Sequence, residues 1–176
     1  MARPRQVADA YTTEKRDSLE LLARMMVGGG YRQPVEGRAS TPGLQAVDIA
    51  GAVGFMGKWD ALGRDTALAV ATRADERHVA RLAASAYRQV VRTVRKLRPA
   101  PLDLDKPEDR WRLRMVIFDA AHDLVWPTQR MPFGQLAKDA KMRKASYMAV
   151  HRCASAVFSE ALDSGRSGFK RALWGE

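Results

Sequence analysis

The chain has 176 residues and carries 30 lysines and arginines against 20 acidic residues, which gives a formal charge of +10. No stretch approaches the roughly 20 apolar residues that span a bilayer, and the N-terminus lacks the apolar region of a signal peptide, so we expect no membrane partner. The single cysteine, Cys153, excludes an internal disulfide and has no neighbour at metal-ligand spacing, so we expect a cytoplasmic protein with no metal and no cofactor.

The composition predicts an all-α fold, a multi-helix body with a C-terminal helix-turn-helix. No segment alternates apolar and polar residues for long enough to form a strand. Residues 1–40 are expected to form an N-terminal helix that starts near Thr12, ends at a run of three glycines from Gly28, and precedes a flexible linker. Residues 41–127 are the predicted helical body, and residues 128–176 are the helix-turn-helix region with a basic tail.

The body is predicted to hold four helices. The first is opened by Thr41 and Pro42 and runs to about Val53. Glycines at 51, 54 and 57 follow no strand and precede no Gly-Lys-Ser or Gly-Lys-Thr, which argues against a phosphate-binding loop. The other three are expected at about 60–71, at about 74–97 with Thr72 as the cap, and from Pro107 to about 125. The apolar face of the last is expected to comprise Trp111, Met115, Phe118, Ala121, Leu124 and Val125.

A row of arginines marks the helix predicted at 74–97. Their spacings of three, four and seven residues place them along one flank of that helix. We call them the arginine ridge: Arg77, Arg81, Arg88, Arg92 and Arg95. The ridge is interpreted either as a phosphate-binding surface or as an ordinary solvated helix face.

The segment after residue 128 carries the main functional pattern. The sequence predicts a helix of about two turns at 132–140 and a longer helix from about Lys144 to Leu162. The break near Lys141 and Met142 indicates that the two helices meet at a tight turn. The expected inward positions are Leu136, Ala137, Ala140, Met142, Tyr147 and Val150. Lys141 occupies the turn position at which a left-handed conformation usually favours glycine.

This arrangement would insert the start of the second helix into the major groove of DNA. Arg143, Lys144, Ser146, Ala149 and Arg152 are then the candidates for contacts with base edges or flanking phosphates. Lys138 and Lys141 would hold phosphates, and His151 would contact DNA or pack inside the protein. The tail, 163–176, would either grip the DNA backbone or dock through Phe169, Leu173 and Trp174.

An enzyme is disfavoured by the distribution of reactive side chains. The three histidines, His78, His122 and His151, lie far apart and form no pattern typical of a metal site or a nucleophile pair. His122 with Asp119 and Asp123 is interpreted as a solvated polar helix face. No catalytic residue is assigned.

The stretch from Gln135 to Ala140, leading into residues 146–156, resembles the region-4 module of sigma factors. It is also similar to phage late-gene antiterminators of the Q type. The resemblance covers the C-terminal 30 to 50 residues, departs at Lys141, and implies a transcription regulator with double-stranded DNA and RNA polymerase as partners. The alternatives are a small terminase-like DNA-packaging protein and a helical adaptor that binds an acidic protein. The oligomeric state, which the sequence leaves open, would discriminate between regulation and packaging.

Overall fold

The computed structural model describes residues 60–174 together with Leu19, Leu22 and Ala23. Within these residues the regular structure is entirely helical, as the composition predicts. The helices are α1 (Ala61–Thr72), α2 (Glu76–Val94), α3 (Pro107–Val125), α4 (Phe133–Asp139) and α5 (Lys144–Trp174), with a 3-10 turn at Pro127–Gln129. The helix predicted from Thr41 to Val53 and nearly all of the predicted N-terminal segment lie outside the described residues. None of the described helices combines the length and apolar character needed to cross a membrane.

The cap of α2 differs from the sequence prediction. Asp75, not Thr72, is the N-cap, and its carboxylate accepts a 2.9 Å hydrogen bond from the backbone N–H of His78. The Thr72 hydroxyl instead donates to the carbonyl of Leu68 inside α1. Arg73 takes a left-handed conformation, with φ of 51°, and so ends α1 before a new helix can start.

The buried face of α3 is rotated from the predicted one. The side chains that enter the core are Leu113, Val116, Ile117, Ala120 and two predicted ones, Ala121 and Val125. Trp111 is 49% exposed, and Met115, Phe118 and Leu124 are only partly buried. Because apolar residues lie on more than one side of α3, its packing against α2 and α5 decides which side is buried.

The five helices contribute to one apolar core. Residues of α2, such as Val79 and Val90, belong to the same buried cluster as Leu136 of α4 and Val150 of α5. The α4–α5 region is therefore packed onto the body through a continuous core, which holds the start of α5 in a fixed position.

Helix α5 continues well beyond the predicted end near Leu162. Gly165 lies so close to α1 that an added Cβ would stand 2.2 Å from the carbonyl oxygen of Gly63. One helical turn later, Phe169 is 1% exposed and packs in a cluster with Leu19, Leu22, Ala67, Ala71 and Leu162. Burial against α1 thus keeps the tail helical despite its glycines, and at Phe169 the tail docks on the body.

Candidate nucleic-acid interface

A four-residue turn connects α4 to α5. Ala140 ends α4, and Lys141 follows in a left-handed conformation with φ of 51°. The backbone N–H of Met142 then donates a 2.8 Å hydrogen bond to the carbonyl of Ala137. This is the conformation that the sequence indicated for Lys141, and glycine would adopt it with less strain.

The inner side of the helix pair is closed. Leu136, Ala137, Ala140, Tyr147 and Val150 are all at most 8% exposed. Met142 is partly buried against the same core. At Ala137 and Ala140 there is no solvent-facing volume for a larger side chain, so small residues permit the close approach of α4 to α5. The opposite side of the pair is therefore the one that remains available to a ligand.

A polar pair anchors the first turn of α5 to α3. The Tyr147 hydroxyl donates a 2.7 Å hydrogen bond to Asp119 Oδ2. Burial raises the pKa of Asp119 above its usual 3.8, although the hydrogen bond from Tyr147 opposes that rise. Burial and the neighbouring Asp119 carboxylate also raise the pKa of Tyr147, so the phenol keeps its proton and remains the donor.

A second polar pair lies one turn further along both helices. His151 Nε2 stands 3.3 Å from Asp123 Oδ2, and both side chains are 8% exposed. The two atoms are within ion-pair range, but they are not hydrogen-bonded to each other. On the other side of the ring, His151 Nδ1 lies 3.3 Å from the Ser155 hydroxyl, and Phe133 packs edge-on at 4.9 Å between ring centroids.

Two sequence interpretations are corrected by these pairs. His151 was predicted either to contact DNA or to pack inside the protein, and its 6% exposure shows that it packs inside. The group of Asp119, His122 and Asp123 was interpreted as a solvated face, yet Asp123 is 6% exposed and the other two are partly buried. Two carboxylates four residues apart give the same sequence pattern whether the helix face is exposed to solvent or is buried against another helix.

The remaining predicted DNA contacts lie on the outer side of the helix pair. Ser146 and Ala149 are partly buried. The exposed cations, which we call the basic edge, are Lys138, Lys141, Arg143, Lys144 and Arg152. None of them forms an ion pair with a carboxylate of residues 60–174. Sequence reasoning overlooked the exposed Ala145 and the partly buried Met148, which share this outer side and which only the helix register reveals.

All members of the arginine ridge are exposed on α2. At about 100° per residue the five lie within an arc of about 60°, on the flank opposite Val79, Ala86 and Val90. An open groove of about 390 Å³ runs between α2 and α5 at the C-terminal end of the ridge. Arg92 of α2 and Lys96, just after the end of α2, line one side of it, and Val157 and Glu160 line it from α5.

Within residues 60–174, together with 19, 22 and 23, no group of three or more His, Cys, Asp or Glu side chains is arranged to hold a metal ion. A cavity of about 160 Å³ beside Asp119 and Asp123 also contacts Glu76, His122 and Met131, but it contains no nucleophile paired with a base. Comparison of the chain with known proteins identified no matching family model, no similar curated protein and no similar solved structure.

Proposed function

We propose that this protein binds double-stranded DNA, with α4 and the start of α5 acting as a helix-turn-helix and the outer side of α5 entering the major groove. The observation that carries the proposal is the basic edge, which consists of exposed cations without carboxylate partners in the described chain. They border a helix pair whose inner side is fully packed. A hairpin that served packing alone would gain nothing from placing five exposed cations against one exposed carboxylate, Asp139, because like charges repel.

The roles of the cations follow from their chemistry. Arg143 and Arg152 have the planar, two-donor geometry that recognises guanine O6 and N7. Lys138 and Lys141 flank the turn and would contact phosphates, where each neutralised charge releases condensed counterions. His151 takes no part in the contact, because Asp123, Ser155 and Phe133 enclose its ring.

Within this proposal the biological role is regulation of transcription through RNA polymerase. It rests on the resemblance of residues 135–156 to sigma region 4 and to Q-type antiterminators. The test is whether the protein, bound to its duplex site, retains RNA polymerase in a mobility-shift assay. Light scattering of the free protein tests the packaging alternative, for which a stable ring of many subunits is required.

Fluorescence anisotropy tests DNA binding itself. The probes are a duplex selected from a random pool and a scrambled duplex of the same composition. Arg143→Ala and Arg152→Ala should each weaken binding to the selected duplex by about 1 to 3 kcal/mol if the arginine reads a base. An equal loss on both duplexes would assign that arginine to a phosphate.

The matched control is Lys106→Ala. Lys106 is an exposed cation at the start of α3 that pairs with Asp103 at 3.2 Å, and its loss changes the net charge equally. It should leave affinity for the selected duplex nearly unchanged. The proposal is overturned if the native protein binds no duplex, or if the Arg143 and Arg152 variants behave like the Lys106 variant. The second result would favour the adaptor alternative.

A further inference from the structure

The arginine ridge of α2 remains outside the interface proposed above. The charged residues of α2 are mostly of one sign, because Glu76 is the only acidic residue within this helix. A solvated surface helix usually mixes both signs of charge, since pairs of opposite charge three or four residues apart stabilise it. The five ridge arginines are all exposed, and none has an ion pair with a carboxylate among the described residues. The ridge is thus a strongly positive strip that the fold does not neutralise.

The groove between α2 and α5 gives the ridge its position relative to the DNA interface. Arg92 of the ridge and Glu160 of α5 line the same groove. Glu160 follows Arg152 by eight residues, which is about 12 Å along the helix and about 80° around it. The C-terminal part of the ridge therefore lies beside the helix that carries the basic edge.

We propose that the arginine ridge contacts the phosphate backbone of the same duplex, on the DNA that flanks the site entered by α5. The proposal rests on the proposed function and assigns it a second, sequence-independent contact. Arginines spread over a 27 Å length of α2, about 1.5 Å per residue from Arg77 to Arg95, match a run of phosphates better than a compact ligand. Two acidic residues that line the groove, Asp60 and Glu160, oppose this contact.

The direct test removes two ridge charges next to the groove. Arg88→Gln with Arg92→Gln removes both charges and keeps a polar side chain of similar helix propensity. We expect equal weakening on the selected and the scrambled duplex, by at least about tenfold at 0.1 M salt, and a slope of log affinity against log salt that is shallower by about 1.8. Glu160→Gln should act in the opposite direction and strengthen binding several-fold. Melting curves establish that each variant is folded.

Duplex length supplies the second measurement. The native protein should lose affinity when the flanking base pairs are removed from the selected duplex, whereas the Arg88 and Arg92 double variant should be insensitive to the same truncation. Native affinity of the double variant, or equal sensitivity of both proteins to truncation, would overturn the inference and indicate an acidic protein as the ridge partner. If instead the ridge variants lose binding and the Arg143 and Arg152 variants do not, entry of α5 into the major groove is refuted, and the ridge binds duplex DNA without a flanking α5 contact.

Discussion

The hydroxyl of Tyr147 and the carboxylate of Asp119 are joined by a 2.7 Å hydrogen bond across 28 residues of sequence. Tyr147 has no solvent exposure, so water cannot easily replace the bond. Because Tyr147 lies in the first turn of α5, the bond fixes the start of this helix against α3. The proposed DNA-reading surface is thus oriented by a polar contact on its reverse side.

Tyr147→Phe should lower the free energy of unfolding by about 1 to 2 kcal/mol. The substitution removes a hydrogen bond to a charged group without leaving a cavity. Urea denaturation monitored by circular dichroism measures the change. Tyr87→Phe is the control, since the Tyr87 hydroxyl has no hydrogen bond to the described residues. A loss as large in the control as in Tyr147→Phe would contradict the assigned role of the bond.

The raised pKa of Asp119 gives a pH dependence of stability. A carboxyl whose pKa is higher in the folded than in the unfolded state contributes its full stabilisation below pH 3.8, and this contribution is lost as the pH rises through the folded-state pKa. Asp119→Asn removes that loss and keeps an acceptor for the Tyr147 hydroxyl. The stability of the variant relative to the native protein should therefore increase between about pH 4 and pH 7. Urea denaturation over this range checks the sign, and a relative stability that falls with rising pH would refute it.

Asp109 should show the opposite pH dependence. Burial would raise its pKa, but hydrogen bonds from the Asp103 N–H at 2.8 Å and from Arg112 outweigh burial and hold the pKa below 3.8. Its stabilisation is present above pH 3.8 and is lost as the pH falls through the lowered pKa. Asp109→Asn should cost about 1 to 2 kcal/mol at pH 7, and less in acid. A cost that stays constant over the acid range would show that the Asp109 charge is not the cause.

Gly165→Ala should destabilise the protein by about 2 to 3 kcal/mol, because the new methyl group would overlap the Gly63 carbonyl and push α5 from α1. Gly134→Ala is the matched control in α4, where an added Cβ meets nothing within 4 Å. The control should stabilise by about 0.5 to 1 kcal/mol, since alanine is the better helix former. Thermal melting of both variants measures the two changes in stability. Similar melting temperatures would argue against the close α1–α5 contact.

Lys141→Gly should stabilise the turn by about 0.5 to 1 kcal/mol, because φ is 51° there and glycine relieves the strain of a Cβ in the left-handed region. Lys141→Ala removes the same charge and keeps the strain, so it should give no such gain. Both variants should lose similar affinity for duplex DNA, which separates the charge from the conformation. Chemical denaturation and anisotropy together make the comparison, and equal stability of the two variants would exclude a strained turn.

Local signals in the sequence were sufficient to predict where the helices near the proposed interface begin or end. Pro107 starts α3, and the break at Lys141 separates α4 from α5, as predicted. Each of these two features depends on a few adjacent residues: the fixed φ of Pro107 favours the start of a helix, and the residues around Lys141 end one. The exposure of the arginine ridge also follows from helical periodicity, because its flank opposes an apolar one, whereas Lys141 and Arg143 of the basic edge lie in the turn.

For residues 60–174, the helical class and the two strongly basic helix regions could be predicted from sequence, because helix periodicity and charge spacing are properties of neighbouring residues. The packing of the helices was needed to show that Asp119 and Asp123 meet Tyr147 and His151, that Trp111 faces solvent, and that α5 continues to Trp174. These features depend on contacts between helices that are far apart in the sequence. A buried partner changes the energy of a carboxylate or a glycine without changing the local pattern in which it stands.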